Sequence, residues 1–280
     1  MPSSCSQFPL RPPLLVAIAQ DTYLKPTIPF SDNINLPGIP APKYGQDITS
    51  AYGRIAPKRQ DVGGASAELK PKMRKLLTIF ASGDKSGMAT RLFDAFLTDN
   101  CRLVTYFDDP SLNAAADSHP NINYFCDAAL SAPNSLNRAI GKTRIHQALQ
   151  KANLDITKMY MLTDLGVPAF NLGSKTFSSD DFNNELGLMI NGVQYVYVLA
   201  THYNFDKVAK KYCITLKFIF YDVFGLDDDD LNEFGASSDS ILYSNASVGI
   251  TAWWQLQHQH GYSPLVTRIV LERTYEAQAE

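Results

Sequence analysis

The sequence predicts an α+β protein, with a helical N-terminal half followed by a C-terminal half built on an antiparallel β-hairpin. Two periodicities predict it. Between residues 67 and 155, apolar side chains recur every three or four positions, the repeat of an amphipathic helix. From Val193 to Asp222 the repeat falls to two, the repeat of a strand. The chain has 280 residues, 45% hydrophobic and 19% charged, which is enough for a sizeable core and too apolar for a disordered protein.

Residues 1–65 are expected to form a proline-rich extended arm. Residues 66–280 are expected to form a single α+β domain, helical over 66–155 and sheet-rich over 156–280. Eleven of the 16 prolines fall in residues 1–71, and proline disrupts both helix interiors and central strands. Such an arm suits either a loosely packed extension or a docking segment for a carrier. Leu14 to Ala19 is a short apolar run after Arg11. Pro9, Pro12 and Pro13 break the helix a signal peptide needs, so the run is expected to be retained.

Within the helical half, Leu69, Met73, Leu76, Leu77 and Phe80 share one face, and Gly83 marks a stop. A second helix covers about 86–98, with Leu92, Phe93, Phe96 and Leu97 inward. Asp109-Pro110 suits a helix start, with proline in the first turn. Further helices are expected over about 121–130 and 135–152, the latter weakened by Gly141. Asp164 to Pro168 reads as turn chemistry, and two-residue spacing is expected from Leu186 onward. The hairpin then runs from Val193 to Phe205, turns at 206–211, and returns to Asp222 with Ile214, Leu216, Phe218 and Phe220 on one face. Residues 246–260 fit either element, and Gly261 as a C-terminal cap argues for a helix. Leu265 to Tyr275 alternates and closes the sheet.

Several function classes are excluded or demoted. A net charge of −3 lacks the basic surplus of a nucleic-acid binder. No apolar run is long enough for a transmembrane helix. Cys5, Cys101, Cys126 and Cys213 are dispersed without a CxxC pair, which argues for reduced thiols in a cytosolic protein and against a zinc ribbon. GxSxG, HExxH, GxGxxG and a P-loop are all absent. With only six glutamates, paired carboxylates for glycoside chemistry would have to be aspartates, and Asp108, Asp109, Asp164, Asp180 and Asp181 are available.

Two constellations remain. Asp222 and Asp227 to Asp230 crowd the exit of the hairpin. Closely packed carboxylates repel one another and need cations, backbone donors or water to stay ionised. Asp227 and Asp229 are therefore candidate ligands for a divalent cation, although EF-hand spacing is absent. The same run fits a solvated turn in which one aspartate caps the next helix. His202 lies on the hairpin, which is expected to bring it toward Asp222 as a general base with its orienting carboxylate. The alternative for His202 is a surface position. His258, in the tryptophan-bearing segment, is a second candidate for proton transfer. The candidate catalytic set is thus Asp222, His202 and His258. Of the adjacent pair, Trp253 is expected in the core, and Trp254 is left open.

Four blocks carry a resemblance: Thr163-Asp-Leu-Gly-Val-Pro-Ala-Phe-Asn171, Met189-Ile-Asn-Gly-Val-Gln-Tyr195, Tyr221-Asp-Val-Phe-Gly-Leu-Asp-Asp-Asp-Asp-Leu231, and the stretch from Thr251 through Trp253, Trp254 and His258 to Arg268. Together they resemble an uncharacterised proteobacterial family often encoded beside type VI secretion spike genes. The resemblance implies an antibacterial effector of bacterial competition, made in the cytoplasm and delivered into a rival cell without a signal peptide. It implies a secretion spike or adaptor protein as carrier and an immunity protein as a further partner. If the chain is an enzyme, hydrolysis of a cell-envelope target is the expected reaction. The rival expectation is a non-enzymatic adaptor or chaperone-like module that links cargo to the spike. A membrane-disrupting toxin is a third, without a basic amphipathic helix to support it. Tyr221 and Asp222 after a hairpin also resemble the Asp/Tyr/Asp cluster of colicin M-like lipid II hydrolases, but the His-Arg pair expected to follow is missing.

Overall fold

One mixed β-sheet frames the structure, a computed structural model that describes residues 4–21, 28–29, 43–44, 65–83, 86–98, 105–128, 141–170, 185–236 and 244–279. Its strands are β1 (Pro9–Gln20), β4 (Thr105–Phe107), β5 (Leu162–Leu165), β6 (Tyr195–Asp206), β7 (Lys211–Phe224) and β8 (Leu265–Gln278), in the order β4-β8-β7-β6-β1-β5. The four central strands are mutually antiparallel, and the two edge strands run parallel to their neighbours. Two-residue strands β2 (Ile28–Pro29) and β3 (Lys43–Tyr44) pair separately.

The predicted hairpin is the centre of this sheet. Strands β6 and β7 pair from Tyr195↔Tyr221 to Asp206↔Lys211. Asp206 fixes the reversal, since its Oδ1 accepts from the backbone N–H of Val208 and Ala209 at 2.8 and 3.0 Å. Strand β7 pairs with β8 along its whole length, so it is walled on both sides. Ile214, Leu216, Phe218 and Phe220 do share a face, and that face belongs to the main core. The opposite face holds a smaller cluster around Tyr195, Tyr197 and Tyr221.

The helices are α1 (Ala65–Phe80), α2 (Met88–Thr98), α3 (Pro110–Asp117), α4 (Pro120–Asp127), α5 (Gly141–Lys151), α6 (Glu185–Met189), α7 (Asp228–Phe234) and α8 (Ser244–His260). Their boundaries follow local chemistry. Asp109 caps α3 by accepting from Ser111 N–H at 2.8 Å, with Pro110 in the first turn. Gly261, at φ +78°, follows the end of α8 as expected. Gly141 is the first residue of α5, and a side chain there would not fit, since its Cβ would meet the Phe125 carbonyl at 2.7 Å. Apolar residues of α1 to α6 and α8, Phe93, Phe125 and Trp253 among them, join the same core as Phe218 and Phe220.

The α+β class therefore stands, while its predicted division into halves does not. Helices α6, α7 and α8 lie in the second half, and strands β1 and β4 lie in the first. The segment from Leu186, expected to be extended, begins as the helix α6. Strands β4 and β5 pair over only a few residues, too short to show a period.

The arm expected over residues 1–65 is corrected at residues 9–20. These form β1, which lies between β6 and β5. Proline excludes a central strand only where its missing N–H is needed. Here Pro12 and Pro13 fall in a gap of the ladder between Pro9 and Leu14, and pairing covers the proline-free stretch Leu14–Gln20 with a bulge at Val16. The apolar run Leu14 to Ala19 is part of this strand, with Val16, Ala17 and Ala19 in the core. Most of the rest of residues 1–65 lies outside the described residues.

Helices α1 and α8 pack along one another. Gly249 permits the approach, because a Cβ there would sit 2.7 Å from Leu76 Cγ and 3.2 Å from the Lys72 carbonyl. Alanine in place of a helical glycine normally stabilises by about 1 kcal/mol. Overpacking of this kind costs about 1–3 kcal/mol. Gly249→Ala is therefore expected to destabilise, seen as a lower urea midpoint, and the Gly249→Ala/Leu76→Ala double variant should lose less than the sum of the two single losses, since the smaller side chain makes room for the added methyl.

Candidate functional site

A cavity of about 440 Å³ opens at the end of the sheet where β1 and β7 finish and β6 begins. Backbone hydrogen bonds align the three strand ends. Asp21 N–H donates to the Gln194 carbonyl at 3.1 Å, and Gln194 N–H donates to the Tyr221 carbonyl at 2.9 Å. Asp222 follows directly. It shares the face of Phe220 and Phe224 by strand alternation, is 7% exposed, and lies on the side covered by helices. Leu76 and Phe80 of α1, Met189 of α6 and Trp253 of α8 contribute apolar wall.

The fourth wall is the turn after β7, and its position is set by α8. The Leu226 N–H donates to Gln257 Oε1 at 2.9 Å, and the Leu226 carbonyl accepts from His258 Nε2–H at 2.6 Å. Trp254 Nε1–H donates to Asp228 Oδ1 at 3.1 Å. Beneath the turn, Phe224 stacks on Trp253 with ring centroids 4.2 Å apart, and Phe93 and Phe96 close around both. Asp227 then starts α7 as its N-cap. Asp227 Oδ1 accepts from Asp230 N–H, Asp230 Oδ2 accepts from Asp227 N–H, and both contacts are 3.0 Å.

Five aspartates line the cavity: Asp21, Asp222, Asp227, Asp229 and Asp230. No lysine, arginine or histidine lines it among the described residues, and no serine, threonine or cysteine does. The electrostatic consequence is clearest at Asp230. Burial, followed by the neighbouring carboxylates of Asp227, Glu233 and Asp229, pushes its carboxyl from 3.8 up to about 6, against the opposing pull of the Asp227 N–H. Burial shifts His258 the other way and favours its neutral form. A neutral imidazole with its proton on Nε2 suits the bond to the Leu226 carbonyl.

The predicted site residues divide accordingly. Asp222, Asp227 and Asp229 meet in one cavity. His258 stands behind the turn and acts as a clasp for Leu226. His202 is elsewhere. It pairs with Thr215, seven residues along β7 from Asp222, or roughly 23 Å at strand rise. The expected His202–Asp222 dyad is thus corrected: the hairpin is long, interrupted only by a bulge at Thr201, so it holds the two residues far apart. His202 is half-buried, with its Nδ1 3.1 Å from Thr201 Oγ1.

The candidate cation ligands Asp227 and Asp229 both line the cavity. Asp227 is engaged as a helix cap, and no group of three or more His, Cys, Asp or Glu able to hold a metal occurs among the described residues. Three other aspartates raised as candidates pair with arginines. Asp108 makes a two-pronged bond to Arg268 with both contacts at 2.7 Å, Asp109 pairs with Arg91, and Asp164 pairs with Arg144. Asp180 and Asp181 lie outside the described residues. Cys126 is buried in the core, where burial pushes its thiol up and away from nucleophilic use.

Asp21 and Gln194 were missed. Both sit just beyond strand ends whose adjacency arises from pairing between distant segments, so no local spacing signals them. The one available hint is polar character directly after or before an apolar strand.

Comparison with known proteins finds no matching family model, no similar curated protein and no matching solved structure. No helix among the described residues is long and apolar enough to cross a membrane.

Two outcomes are expected from this geometry. Below about pH 4, Asp230 is protonated in both folded and unfolded chains. As pH rises toward 6, only the unfolded chain ionises it freely, so its contribution to stability falls, by up to about 3 kcal/mol at neutrality. Asp230→Asn should remove that fall, so urea midpoints of variant and parent should diverge in the variant's favour between pH 4 and 7. His258→Ala leaves the Leu226 carbonyl without its donor, which should cost about 1–3 kcal/mol. Hydrogen exchange should then accelerate at the Leu226 and Asp227 amides before it does in β7.

Proposed function

We propose that the chain is a type VI secretion-associated antibacterial effector that works through the carboxylate-lined cavity. One observation carries this reading: the sequence blocks behind the resemblance, scattered between residues 163 and 268, converge on that cavity. Met189, Gln194, Asp222, Asp227, Asp230 and Trp253 line it, drawn from three of the four blocks. The remaining block buttresses it, because Phe170 N–H donates to the Asn191 carbonyl and Val193 N–H donates to the Pro168 carbonyl, both at 3.2 Å.

As a hydrolase of a cell-envelope target, the protein would rely on a carboxyl pair in place of a histidine dyad. Asp230 keeps its proton up to about pH 6, well above an ordinary carboxyl, a shift in the direction a general acid needs, and Asp222 is its candidate partner as base. The absence of any serine, cysteine or histidine from the described lining favours a second reading. In it the cavity only binds, and the chain is an adaptor or chaperone-like module that links cargo to the secretion spike.

Expression of the full chain in a sensitive host decides between them, once in the cytoplasm and once with an added export signal. The effector reading expects growth arrest in one compartment, with at least about a tenfold recovery of viable counts for Asp222→Asn at equal protein level. Harmless expression in both compartments, together with co-purification of a spike protein, would establish the adaptor instead.

A further inference from the structure

We propose that Cys5 and Cys213 are a latent disulfide: two thiols held in contact that close to a cystine in an oxidising compartment and fasten the segment before β1 to the middle of the sheet. The inference goes beyond the effector reading and does not involve the cavity.

Strand alternation and register bring the pair together. Ile214, Leu216, Phe218 and Phe220 of β7 face the main core, so Cys213 and Thr215 point to the opposite face. On that face Cys213 pairs with Glu276, and Thr215 with Thr274, across β8. The helical turn Ser4–Gln7 packs on β6 and β7. Its place is fixed by the residues that follow it. Phe8 N–H donates to the Cys5 carbonyl at 3.1 Å, Tyr203 N–H donates to the Phe8 carbonyl at 3.0 Å, and Pro9 pairs with His202. Tyr203 and Asn204 pair in turn with Ile214 and Cys213, so this anchor leaves the turn over the Cys213 end of β7. The surroundings of Cys5 agree. Its thiol donates to Cys213, accepts from the Thr215 hydroxyl, and lies near the Glu276 carboxylate, three residues of one sheet face.

Both thiols are free and buried. Two sulfurs in hydrogen-bond contact have little further to travel to a disulfide bond length of about 2 Å. No other described cysteine competes, because Cys126 sits in the main core on the far side of the sheet. The oxidant is a small-molecule disulfide. One protein thiolate attacks it and releases a small thiol, and the second protein thiolate then attacks the mixed disulfide and releases the other. Two protein thiols become one disulfide, the small disulfide becomes two thiols, and the two protons leave with those thiols.

Burial controls when this happens. It pushes the Cys5 thiol up to about 12, with Cys213 adding to the shift, so little thiolate exists in the closed form at neutral pH. Exchange therefore waits for the Ser4–Gln7 turn to open, and a single helical turn opens at less cost than the sheet beneath it. Once closed, the bond spans about 200 residues of chain and restricts the unfolded state strongly.

The test uses the full chain, purified reduced and treated with oxidised glutathione at about pH 8 in urea below the unfolding transition. Expected are loss of two of the four thiols, a mass lower by two hydrogens, and one cross-linked peptide pair that contains Cys5 and Cys213. The oxidised form should have the higher urea midpoint, and dithiothreitol should return it to the reduced value. Cys5→Ser and Cys213→Ser should each abolish the cross-link. In cells, the chain with an added export signal should carry the bond, and the cytoplasmic chain should keep its thiols. Retention of all four thiols overturns the proposal. So does a lasting glutathione adduct in place of the cross-link, a bond to Cys101 or Cys126, or an oxidised form no more stable than the reduced one. None of these outcomes depends on toxicity, so the latent disulfide and the effector reading fail separately.

Discussion

The peptide of Leu226 is the point on which this end of the molecule depends. It leaves the sheet where β7 stops, in a half-buried turn that no strand can pair. Backbone donors and acceptors in such a place need partners. Gln257 and His258, consecutive on α8, supply one each. Their grip fixes the turn, the turn places Asp227, and Asp227 starts α7. The Phe224–Trp253 stack below the turn sets how close α8 comes to the sheet. Loosening any member of this chain would change the width of the cavity and the spacing of its carboxylates together.

The aspartates gathered there are expensive to fold. Asp227 and Asp230 offset part of the cost by capping each other across the first turn of α7, where the helix dipole favours negative charge. Below about pH 6, Asp230 offsets more by holding its proton. Elsewhere the chain deals with acidic residues conventionally, pairing Asp108, Asp109 and Asp164 with arginines. The clustering of five aspartates around one partly apolar cavity is what separates this site from the rest of the fold. Local rules are most often broken where a protein does its work.

The sheet explains why the site is where it is. Strands β1, β6 and β7 come from residues 9–20, 195–206 and 211–224, and their pairing brings Asp21, Gln194 and Asp222 to one edge. The same long pairing, bulged at Thr201, carries His202 toward the far end. A shorter hairpin, or one with a different register, would have produced another set of neighbours from the same residues.

The amino-acid pattern alone determined the hairpin, the closing strand β8, helices α1 to α5, the cap at Asp109, the helical choice for α8 and the acidic exit after Asp222. Each of these is encoded by periodicity or by one turn of local chemistry. Tertiary structure decided the rest. Whether Leu14–Gln20 is an arm or an inner strand depends on which N–H groups its neighbours need, and proline content does not record that. Whether His202 or His258 approaches Asp222 depends on strand length and register. Asp21 and Gln194 joined the site only because strand ends far apart in the chain were aligned by hydrogen bonds. Local sequence encodes the dihedral angles of short segments, while a site assembled from distant segments is encoded in their packing, which no window along the chain contains.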